Sequence, residues 1–483
     1  MAFLGIDLGT SGLRALLVDA EGCPIGSAER AYATHHPHPG WSEQNPKDWI
    51  DALTSAAREL RVAHPEFADL KGLGVSGHMH GAVLVDESGD PIRPCIMWND
   101  TRSHEEAARL DAIPEMRAIS GNVAFPGFTA PKLEWVRAHE PENHARVSKV
   151  LLPAAYVNWY LTGDYVSDVS DCSGTGWLDL RARRWSATLL DAGNMRSDQM
   201  PRLVEGCTPA GQLKTELLSE WRINHPVIVA GGAGDNAAAA CGIGALSEGQ
   251  GFVSLGTSGV LLLARDGCDP APETALHSFC HAIPGRWYQM GVMLSATNSL
   301  NWLSRISGQS PAALTKALGA DIKPPSNELF LPYLSGERTP HNDAQIRAAF
   351  LGLDTQTSLD DMTRAVLEGV AFALRDSAEA MKATGAEIKV LYAVGGGAAS
   401  RYWVELIATI LGTCISLPKG GEFGAALGAA RLAIVAATDA RPEDVMRSPD
   451  YCDRITPRAD LLSAYDDAYE RFKDAYPAIR SVQ

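Results

Sequence analysis

The chain has 483 residues, of which 46% are hydrophobic and 21% are charged, and its formal net charge is −16. This length and composition are typical of a globular protein of two or three domains with a substantial core. The acidic balance argues against a nucleic-acid partner, because neutralising phosphates needs clustered Lys and Arg. No apolar run approaches the roughly 20 residues that cross a bilayer, so no membrane partner is expected.

Nine cysteines are scattered along the chain without a CxxC pair. That spacing is typical neither of a disulfide framework nor of a zinc site. The first residues form a strand-like run and show no charged leader segment. Together these features predict a protein of the reducing cytoplasm.

The first predicted element is a β-hairpin. Apolar runs at residues 2–6 and 13–18 flank the tip Gly9-Thr10-Ser11-Gly12. Glycine lets the backbone approach an anion closely, and successive exposed N–H groups form an anion-binding concavity. Asp7 opens the tip and supplies one carboxylate, the usual arrangement for a Mg²⁺ ion shared with substrate phosphates. An ordinary hairpin with a glycine turn is the alternative.

A helix is predicted to begin at Pro46, with Asn45 as its N-cap. A short buried strand at 73–76 then ends in Gly-His-Met-His-Gly. His78 and His80 would point the same way in a strand, which makes a metal site conceivable although no third ligand is evident. The alternatives are a structural histidine at a strand end and a hydrogen-bonding group for a polyol.

Helices are predicted at 131–139 and 154–161, and the Ser-, Asp- and Gly-rich stretch 165–180 is predicted to be loop and edge strand. A buried strand at 226–230 leads into GGAGDN and an alanine-rich helix. Within that junction Asp235 is a candidate N-cap. It is equally a candidate general base for a hydroxyl that attacks a γ-phosphorus, kept ionised by the helix N-terminus.

The phrase Leu-Gly-Thr-Ser-Gly recurs at residues 255–259, about half a chain after its first copy. A repeat at that distance predicts two similar domains facing each other across a cleft rather than a solenoid. We place the boundary between domains 1–245 and 246–483. Ser254 stands where the first copy has Asp7, so only one wall carries a carboxylate. This asymmetric duplication favours two anion-binding tips suited to holding a polyphosphate between them.

In the second half a helix at 296–307, a loop at 331–343 and a helix at 359–382 are predicted. A strand at 387–394 then runs into Gly395-Gly396-Gly397, with Ser400 near the cap of a helix at 401–411. Such a junction suits a base and ribose lying on bare backbone, or phosphate at a helix N-terminus. A plain strand-to-helix turn is the alternative.

The phrase GGEFGAALGAARLA, from Gly420 onward, is predicted to become a small-residue helix that serves close packing, a domain hinge or both. The phrases WND at 98–100 and GER at 336–338 add polar groups at the ends of apolar segments. Strands alternating with helices in both halves predict an α/β fold.

Taken together, these phrases resemble the FGGY family of carbohydrate kinases, within the actin–hexokinase–Hsp70 ATPase superfamily, essentially from end to end. GHMHGA and PGFTAPKLEW favour the branch of that family that phosphorylates xylulose, although His78 departs from a Gln common there. The phrases that carry the resemblance are GIDLGTSGLRALL, GHMHGAVL, IMWNDTR, PGFTAPKLEWV, GAGDNAAAACGIG, SLGTSGV, FLPYLSGERTPHND, VGGGAASRYW and FGAALGAARLA.

The resemblance implies two ribonuclease-H-like domains around a central cleft, with the sugar mostly on the N-terminal domain and ATP mostly on the C-terminal one. It implies transfer of the γ-phosphoryl group of Mg-ATP to the 5-hydroxyl of D-xylulose or a related pentulose, with release of ADP. A homodimer is also expected at the family level.

The resemblance carries the following roles onto matching positions: catalysis by Asp235 and Asp7, with Mg²⁺ held by Asp7 through water; sugar binding by Met79, His80, Asp235 and Asn236; and nucleotide binding by Thr10, Ser11, Gly256, Thr257, Gly396, Gly397 and Ser400.

Three alternatives remain at this point. The first keeps the fold and changes the substrate to ribulose, glycerol or gluconate. The second is a non-catalytic sugar sensor or scaffold, against which the presence of both Asp7 and Asp235 argues. The third is a chaperone-like or filament-forming ATPase, in which GHMHGA and the GDN junction would have no purpose.

Overall fold

Two mixed seven-stranded sheets carry the fold, one in each half of the chain. The computed structural model describes residues 1–419, 424–438 and 440–483. The strands of the first half are β1 (Ala2–Leu8), β2 (Gly12–Asp19), β3 (Pro24–Ala31), β4 (Glu43–Gln44), β5 (Leu70–Gly77), β6 (Val83–Val85), β7 (Cys95–Ile96), β8 (Lys149–Leu151), β9 (Val166–Asp168), β10 (Leu178–Asp179), β11 (Arg184–Trp185), β12 (Arg202–Val204), β13 (Pro209–Gln212), β14 (Ile228–Ala230) and β15 (Ala233–Gly234). Those of the second half are β16 (Gln250–Leu255), β17 (Gly259–Arg265), β18 (His277–Cys280), β19 (Trp287–Met293), β20 (Leu329–Leu331), β21 (Ala349–Leu351), β22 (Val390–Val394), β23 (Ile415–Pro418) and β24 (Tyr451–Ile455).

Helices cover these sheets. In the first half they are α1 (Pro46–Ala63), α2 (His104–Asp111), α3 (Pro114–Ser120), α4 (Thr129–His139), α5 (Pro141–Ala145), α6 (Pro153–Thr162), α7 (Val169–Cys172), α8 (Ala187–Ala192), α9 (Thr215–Trp221) and α10 (Asp235–Gly242). In the second half they are α11 (Thr297–Ser307), α12 (Pro311–Ala317), α13 (Leu359–Ala383), α14 (Arg401–Leu411), α15 (Gly424–Ala437), α16 (Pro442–Val445) and α17 (Leu462–Arg480). Over the described ranges, no helix has both the length and the apolar character that a membrane span requires.

The two sheets share one arrangement of five strands, β3-β2-β1-β5-β14 in the first and β19-β17-β16-β22-β23 in the second. The first runs β13-β14-β5-β1-β2-β3, with β15 beside β5, and the second runs β18-β19-β17-β16-β22-β23-β24. In the first, the hairpin β1–β2 is antiparallel and β5 pairs parallel with β1. In the second, the hairpin β16–β17 is antiparallel and β22 pairs parallel with β16. The repeated phrase therefore marks a repeated unit, and the predicted α/β architecture is confirmed.

Several predicted elements form for the local reasons given above. Asn45 caps α1, its side chain accepting from the Lys47 N–H, and Pro46 is the first helical residue. The helix predicted at 401–411 has the predicted bounds. Both Gly-Thr-Ser-Gly phrases lie at hairpin tips, as expected from glycine-bounded turns between apolar runs.

The stretch 165–180 departs from its prediction. It contains the short strands β9 and β10, but the helix α7 stands between them and residues 166–178 are all buried. Its polar side chains bond one another and the second half: Asp168 caps α7, and the Ser173 hydroxyl accepts from the Cys280 N–H at 2.9 Å. Polar composition predicts a loop here because composition does not record such long-range partners.

The helix α15 lies against the sheet of the first half. A Cβ at Gly5 on β1 would collide with the Ala426 carbonyl oxygen, and one at Gly74 on β5 with the Ala429 carbonyl oxygen. Only glycine allows the helix backbone to approach the strands this closely. The close packing predicted for residues 425–430 is confirmed, whereas the start of that phrase, residues 420–423, lies outside the described residues.

Candidate active site

The ends of three neighbouring strands bring the two candidate catalytic carboxylates to one edge of the first sheet. Asp7 on β1 is in register with Ser76 on β5, and Ser76 with Ala233 on β15. Neighbouring strands lie about 4.8 Å apart. Asp235 follows directly as the first residue of α10. The Ser76 hydroxyl donates to Asp7 Oδ1 at 3.4 Å.

Burial is the main influence on both acids. It raises the pKa of Asp7 to about 6, and the nearby Asp235 carboxylate adds to that rise. Burial also raises the pKa of Asp235 to about 6. The Asn236 N–H and Nδ2 donate to its Oδ1 at 2.7 and 2.9 Å, and these two hydrogen bonds lower the pKa and so limit the rise. Asp235 is therefore mostly ionised at pH 7. The N-cap interpretation of Asp235 is wrong, because Gly234 occupies that position.

Met79 and His80 adjoin this pair. A Cβ at Gly234 would lie 2.8 Å from Met79 Cγ, so the methionine packs directly on the turn that carries Asp235. The Tyr288 hydroxyl lies 3.8 Å from Met79 Sδ. Met79 therefore lies next to the candidate base, and His80 follows it in the chain.

His80 is held in an unusual conformation. Its φ is 70°, and its carbonyl oxygen accepts from Lys132 Nζ at 2.8 Å and from the Thr129 hydroxyl at 3.2 Å. The ring lies with Nδ1 2.8 Å from the Gly174 carbonyl oxygen and stacks on Phe128 at 4.7 Å. Burial lowers the pKa of His80 to about 3, so the ring is neutral at pH 7.

The two histidines do not form a metal site. The strand β5 ends at Gly77, and His78 packs its ring on Trp49, with centroids 5.5 Å apart, while His80 stacks on Phe128. The expectation that they point the same way is wrong because His80 lies beyond the strand with a positive φ. No group of three metal-ligating side chains occurs in the part of the chain that the structure describes.

The first tip opens beside Asp7. Asp7, Gly9 and Ser11 line a cavity of about 380 Å³. Thr10 faces elsewhere: its hydroxyl accepts from Trp98 Nε1 at 3.0 Å. Its carbonyl oxygen accepts from Gln44 Nε2 at 2.6 Å, which fixes the turn.

The second tip borders a larger cavity. Gly396, Gly397 and Ser400, three of the candidate nucleotide-binding residues, line a space of about 450 Å³. Thr297, on the same wall, donates from its N–H and its hydroxyl to the Gly256 carbonyl oxygen at 3.0 and 2.8 Å. The Ala296 N–H donates to the Thr257 carbonyl oxygen at 2.9 Å, which ties the tip to the start of α11.

The Gly395–Gly397 turn has the backbone that its sequence suggests. Gly395 has a φ of 88°, which favours glycine, and a Cβ at Gly396 would meet open space. Ser400 caps α14 by accepting from the Trp403 N–H at 3.3 Å. Sequence reasoning missed other residues of this wall, including Asn301 and Thr315, because α11 and α12 reach the cavity only through tertiary packing.

Asp171 is a second functional candidate that sequence reasoning missed. Both of its carboxylate oxygens are buried without a hydrogen-bond partner among the described residues. Burial, with Asp168 and Asp235 nearby, raises the pKa of Asp171 well above its usual value, which favours the neutral acid. The Ser170 hydroxyl accepts from the Gly234 N–H at 3.3 Å, which joins α7 to the turn that precedes Asp235.

Two family models match this chain, one in each half. The FGGY family N-terminal domain of carbohydrate kinases matches residues 2–242, and the C-terminal domain matches residues 251–437. The xylulose kinase of Escherichia coli K12 is 45% identical over 438 residues, covering 90% of each chain. The xylulose kinase of Klebsiella pneumoniae is 46% identical over 440 residues, again covering 90% of each.

Solved structures agree with this assignment. A xyloylose kinase from Brucella ovis superposes with a TM-score of 0.99 at 54% identity, covering 100% of both chains. A xylulose kinase from Rhodospirillum rubrum superposes with a TM-score of 0.92 at 27% identity, covering 100% of this chain and 99% of that one. The chain therefore belongs to the FGGY family of carbohydrate kinases and is a sugar kinase with the actin–hexokinase–Hsp70 ATPase fold.

Proposed function

We propose that this kinase transfers the γ-phosphoryl group of ATP to the 5-hydroxyl of D-xylulose, giving D-xylulose 5-phosphate and ADP. The relatives named above, xylulose kinases matched over 90% of both chains, support the choice of sugar. The observation that supports the chemistry is the ionised, partly buried carboxylate of Asp235 beside Met79 and close to Asp7.

In this proposal residues 1–245 bind the sugar and residues 246–483 bind the nucleotide. Met79, His80 and Asn236 hold the sugar beside Asp235. The cavity of about 450 Å³ lined by Gly396, Gly397 and Ser400 holds the nucleoside, and the tip with Gly256 and Thr257 lies along the phosphates. The first tip, with Thr10 and Ser11, approaches the phosphates from the opposite wall. Ser11 lines the cavity beside Asp7, whereas Thr10 contributes through the backbone of the tip because its hydroxyl is engaged by Trp98.

Asp235 acts as the general base. Both Asn236 bonds go to its Oδ1, which leaves Oδ2 to accept the proton of the sugar hydroxyl. A base is most effective when its pKa lies near the working pH, and burial brings the pKa of Asp235 to about 6. The resulting alkoxide-like oxygen attacks the γ-phosphorus in line while ADP leaves.

The donor set also fits a magnesium ion. Asp7 is a single buried carboxylate beside a second acid, and the nearby negative charge raises its pKa, an effect that a bound cation would relieve. Mg²⁺ is usually bound by one or two carboxylates, water and substrate phosphates, so Asp7 would hold it, through water. When bound, the ion supplies neutralisation of the phosphate charge, while the N–H groups of the two tips stabilise the transferring group.

A coupled ADP-release assay with Mg-ATP tests this proposal. The sugars are D-xylulose, L-ribulose, D-ribulose, glycerol and gluconate, each assayed with the same folded protein. We expect kcat/KM for D-xylulose to exceed that for every other substrate. A higher kcat/KM for another polyol would contradict the choice of sugar, and no turnover with any of them would contradict the kinase mechanism and favour a sensor.

A further inference from the structure

The loop at residues 332–343 places an arginine against the aromatic group around His80. Arg338 Cζ lies 4.6 Å from the centre of the Phe125 ring, and its Nη1 lies 3.3 Å from His277 Nε2. The His277 ring stacks on Phe128 at 5.9 Å, and Phe128 stacks on His80 at 4.7 Å. A residue from the second half of the chain is therefore joined to the candidate sugar-binding histidine of the first half through continuous ring contacts.

Hydrogen bonds to the backbone hold this loop in place. Glu337 Oε1 accepts from the Leu294 N–H at 3.2 Å and from the Arg338 N–H at 2.7 Å. The Thr339 N–H donates to the Val292 carbonyl oxygen at 3.1 Å. The loop is thus anchored to the end of β19, on either side of Arg338.

The charge of Arg338 is only partly compensated, by the neighbouring Glu337. Among the described residues the Arg338 side chain makes one hydrogen bond, to His277, and no ion pair with a carboxylate. Burial raises the pKa of the neighbouring Glu337 to about 8, so that acid is mostly neutral at pH 7. Burial lowers the pKa of Arg338 to about 10, which still leaves it charged. A partly buried cation without an anion is costly unless another group supplies acceptors.

Arg338 lies toward the His80 end of the site. Its charge contributes to lowering the pKa of His80, whereas the pKa of Asp235 responds to burial and to Asn236. A sugar whose reacting hydroxyl meets Asp235 would therefore present its other end to Arg338. In a 2-ketopentose that end carries the C2 carbonyl and the C1 hydroxyl, both of which accept hydrogen bonds from a guanidinium.

We propose that Arg338 donates hydrogen bonds to the oxygens at the C1–C2 end of the pentulose and so helps to select the sugar. This inference rests on the proposed function, because the reaction at the 5-hydroxyl fixes which end of the sugar faces Asp235. The sugar-binding site would then be completed by the half of the chain that also binds the nucleotide.

Titration calorimetry with D-xylulose and, separately, with ADP tests the role of Arg338. In Arg338→Met we expect the Kd for D-xylulose to rise about 10- to 100-fold, the usual effect of losing hydrogen bonds from a charged donor, with the Kd for ADP within about twofold of wild type. Arg338→Lys keeps the charge but loses the planar guanidinium with its several N–H donors. Its Kd for D-xylulose should therefore lie between those of wild type and Arg338→Met. If Arg338→Met does not fold, Arg338→Lys carries the test.

The matched control is Arg286→Met, which removes an arginine of the same half that pairs with Asp266 at the surface. Its affinity for D-xylulose should equal that of wild type. Unchanged D-xylulose affinity in a folded Arg338 variant would overturn the inference, and so would an equal loss of D-xylulose and ADP affinity, which indicates a structural role. Wild-type protein that neither binds nor phosphorylates D-xylulose would instead contradict the proposed function.

Discussion

As the proposed base, Asp235 must be ionised to accept a proton. Its surroundings set its pKa and therefore the pH above which it is ionised. Burial raises its pKa to about 6, and the Asn236 hydrogen bonds limit the rise. Asp7 has a similar pKa of about 6 for a related reason, burial with Asp235 nearby. Since the two acids interact, the pH dependence that an assay reports belongs to the pair.

The first prediction concerns the pH–rate profile. We expect kcat/KM for D-xylulose to be level above pH 7 and to fall as the pH decreases through about 6, because protonation removes the base. The measurement is the ADP-release assay from pH 5 to pH 8. A profile that stays level down to pH 5, in protein that remains folded, would contradict the assignment of the base.

A second prediction concerns stability. The Asp235 carboxyl binds its proton more tightly in the folded state than in the unfolded state, where its pKa is near 3.8. The free energy of unfolding therefore falls as the pH rises from about 4 to 6, and it remains at the lower value above pH 6. Asp235→Asn removes this cost, worth up to about 3 kcal/mol. Its Tm should exceed that of wild type at pH 8 and match it at pH 4.

The control for that comparison is Asp51→Asn, on the exposed side of α1, which should leave the Tm unchanged at both pH values. A Tm of Asp235→Asn at or below the wild-type value at pH 8 would show that the buried carboxylate carries no such cost. If Asp235→Asn gains Tm and loses turnover, the wild-type carboxylate lowers stability at a position that activity requires.

At this scale the sequence predicts some residues and misses others. Asp7 and Asp235 stand beside glycines at the ends of apolar runs, so a local pattern reveals them. Asp171 lies in a Ser-, Asp- and Gly-rich stretch that reads as a loop, and its importance depends on burial by distant segments. The sequence shows the phrase that contains Arg338. The position of Arg338 beside the ring group around His80, however, depends on the packing of both halves.

At the scale of elements, the pair α10 and α15 determines where Asp235 stands. A Cβ at Gly428 of α15 would collide with the Ala238 carbonyl oxygen of α10, so the two helices touch backbone to backbone. Asp235 is the first residue of α10. A change that separates these helices would therefore move the base as well as weaken the fold.

The third prediction compares two glycines one turn apart on α15. Gly428→Ala should lower the free energy of unfolding by about 1–3 kcal/mol, because the methyl group overpacks the contact. Gly424→Ala is the matched control: its nearest neighbour would be Ala239 Cβ at 4.0 Å, so it should be tolerated. Thermal unfolding of both variants is the measurement, and equal Tm values would contradict the account of this interface.

Elements are predicted correctly where the sequence pattern that specifies them is local. The hairpins, the start of α1 at Pro46 and the bounds of α14 follow from turn, cap and periodicity patterns. The short helix α7 does not, because its burial depends on distant contacts, such as the bond from the Cys280 N–H to the Ser173 hydroxyl just after the helix. The placement of α15 against the sheet of the first half was equally beyond a local pattern.

At the scale of the whole molecule, the duplicated phrase predicts the architecture. Two copies of one hairpin correspond to two sheets that share one arrangement of five strands. The contact between the halves is more specific than a duplication implies. The Asn122 side chain donates to the Ser278 carbonyl oxygen at 2.8 Å and accepts from the Ser278 N–H at 3.0 Å. Arg183 donates to the carbonyl oxygens of Arg286 and His281 at 2.7 and 3.0 Å.

This arrangement explains why the proposed chemistry uses both halves. The first half presents Asp7 and Asp235, and the second half presents the glycine junction and its cavity. The loop that carries Arg338 reaches the ring group around His80. Bringing the halves together on substrates would exclude water and limit hydrolysis of ATP.

The most direct test of the central claim is the ADP-release rate of Asp235→Asn with saturating D-xylulose and Mg-ATP, measured beside its affinity for ADP. We expect kcat to fall by at least about 100-fold, the usual contribution of a general base, with the Kd for ADP within about twofold of wild type. A kcat within about tenfold of wild type would contradict the role of Asp235 and, with it, the mechanism proposed here.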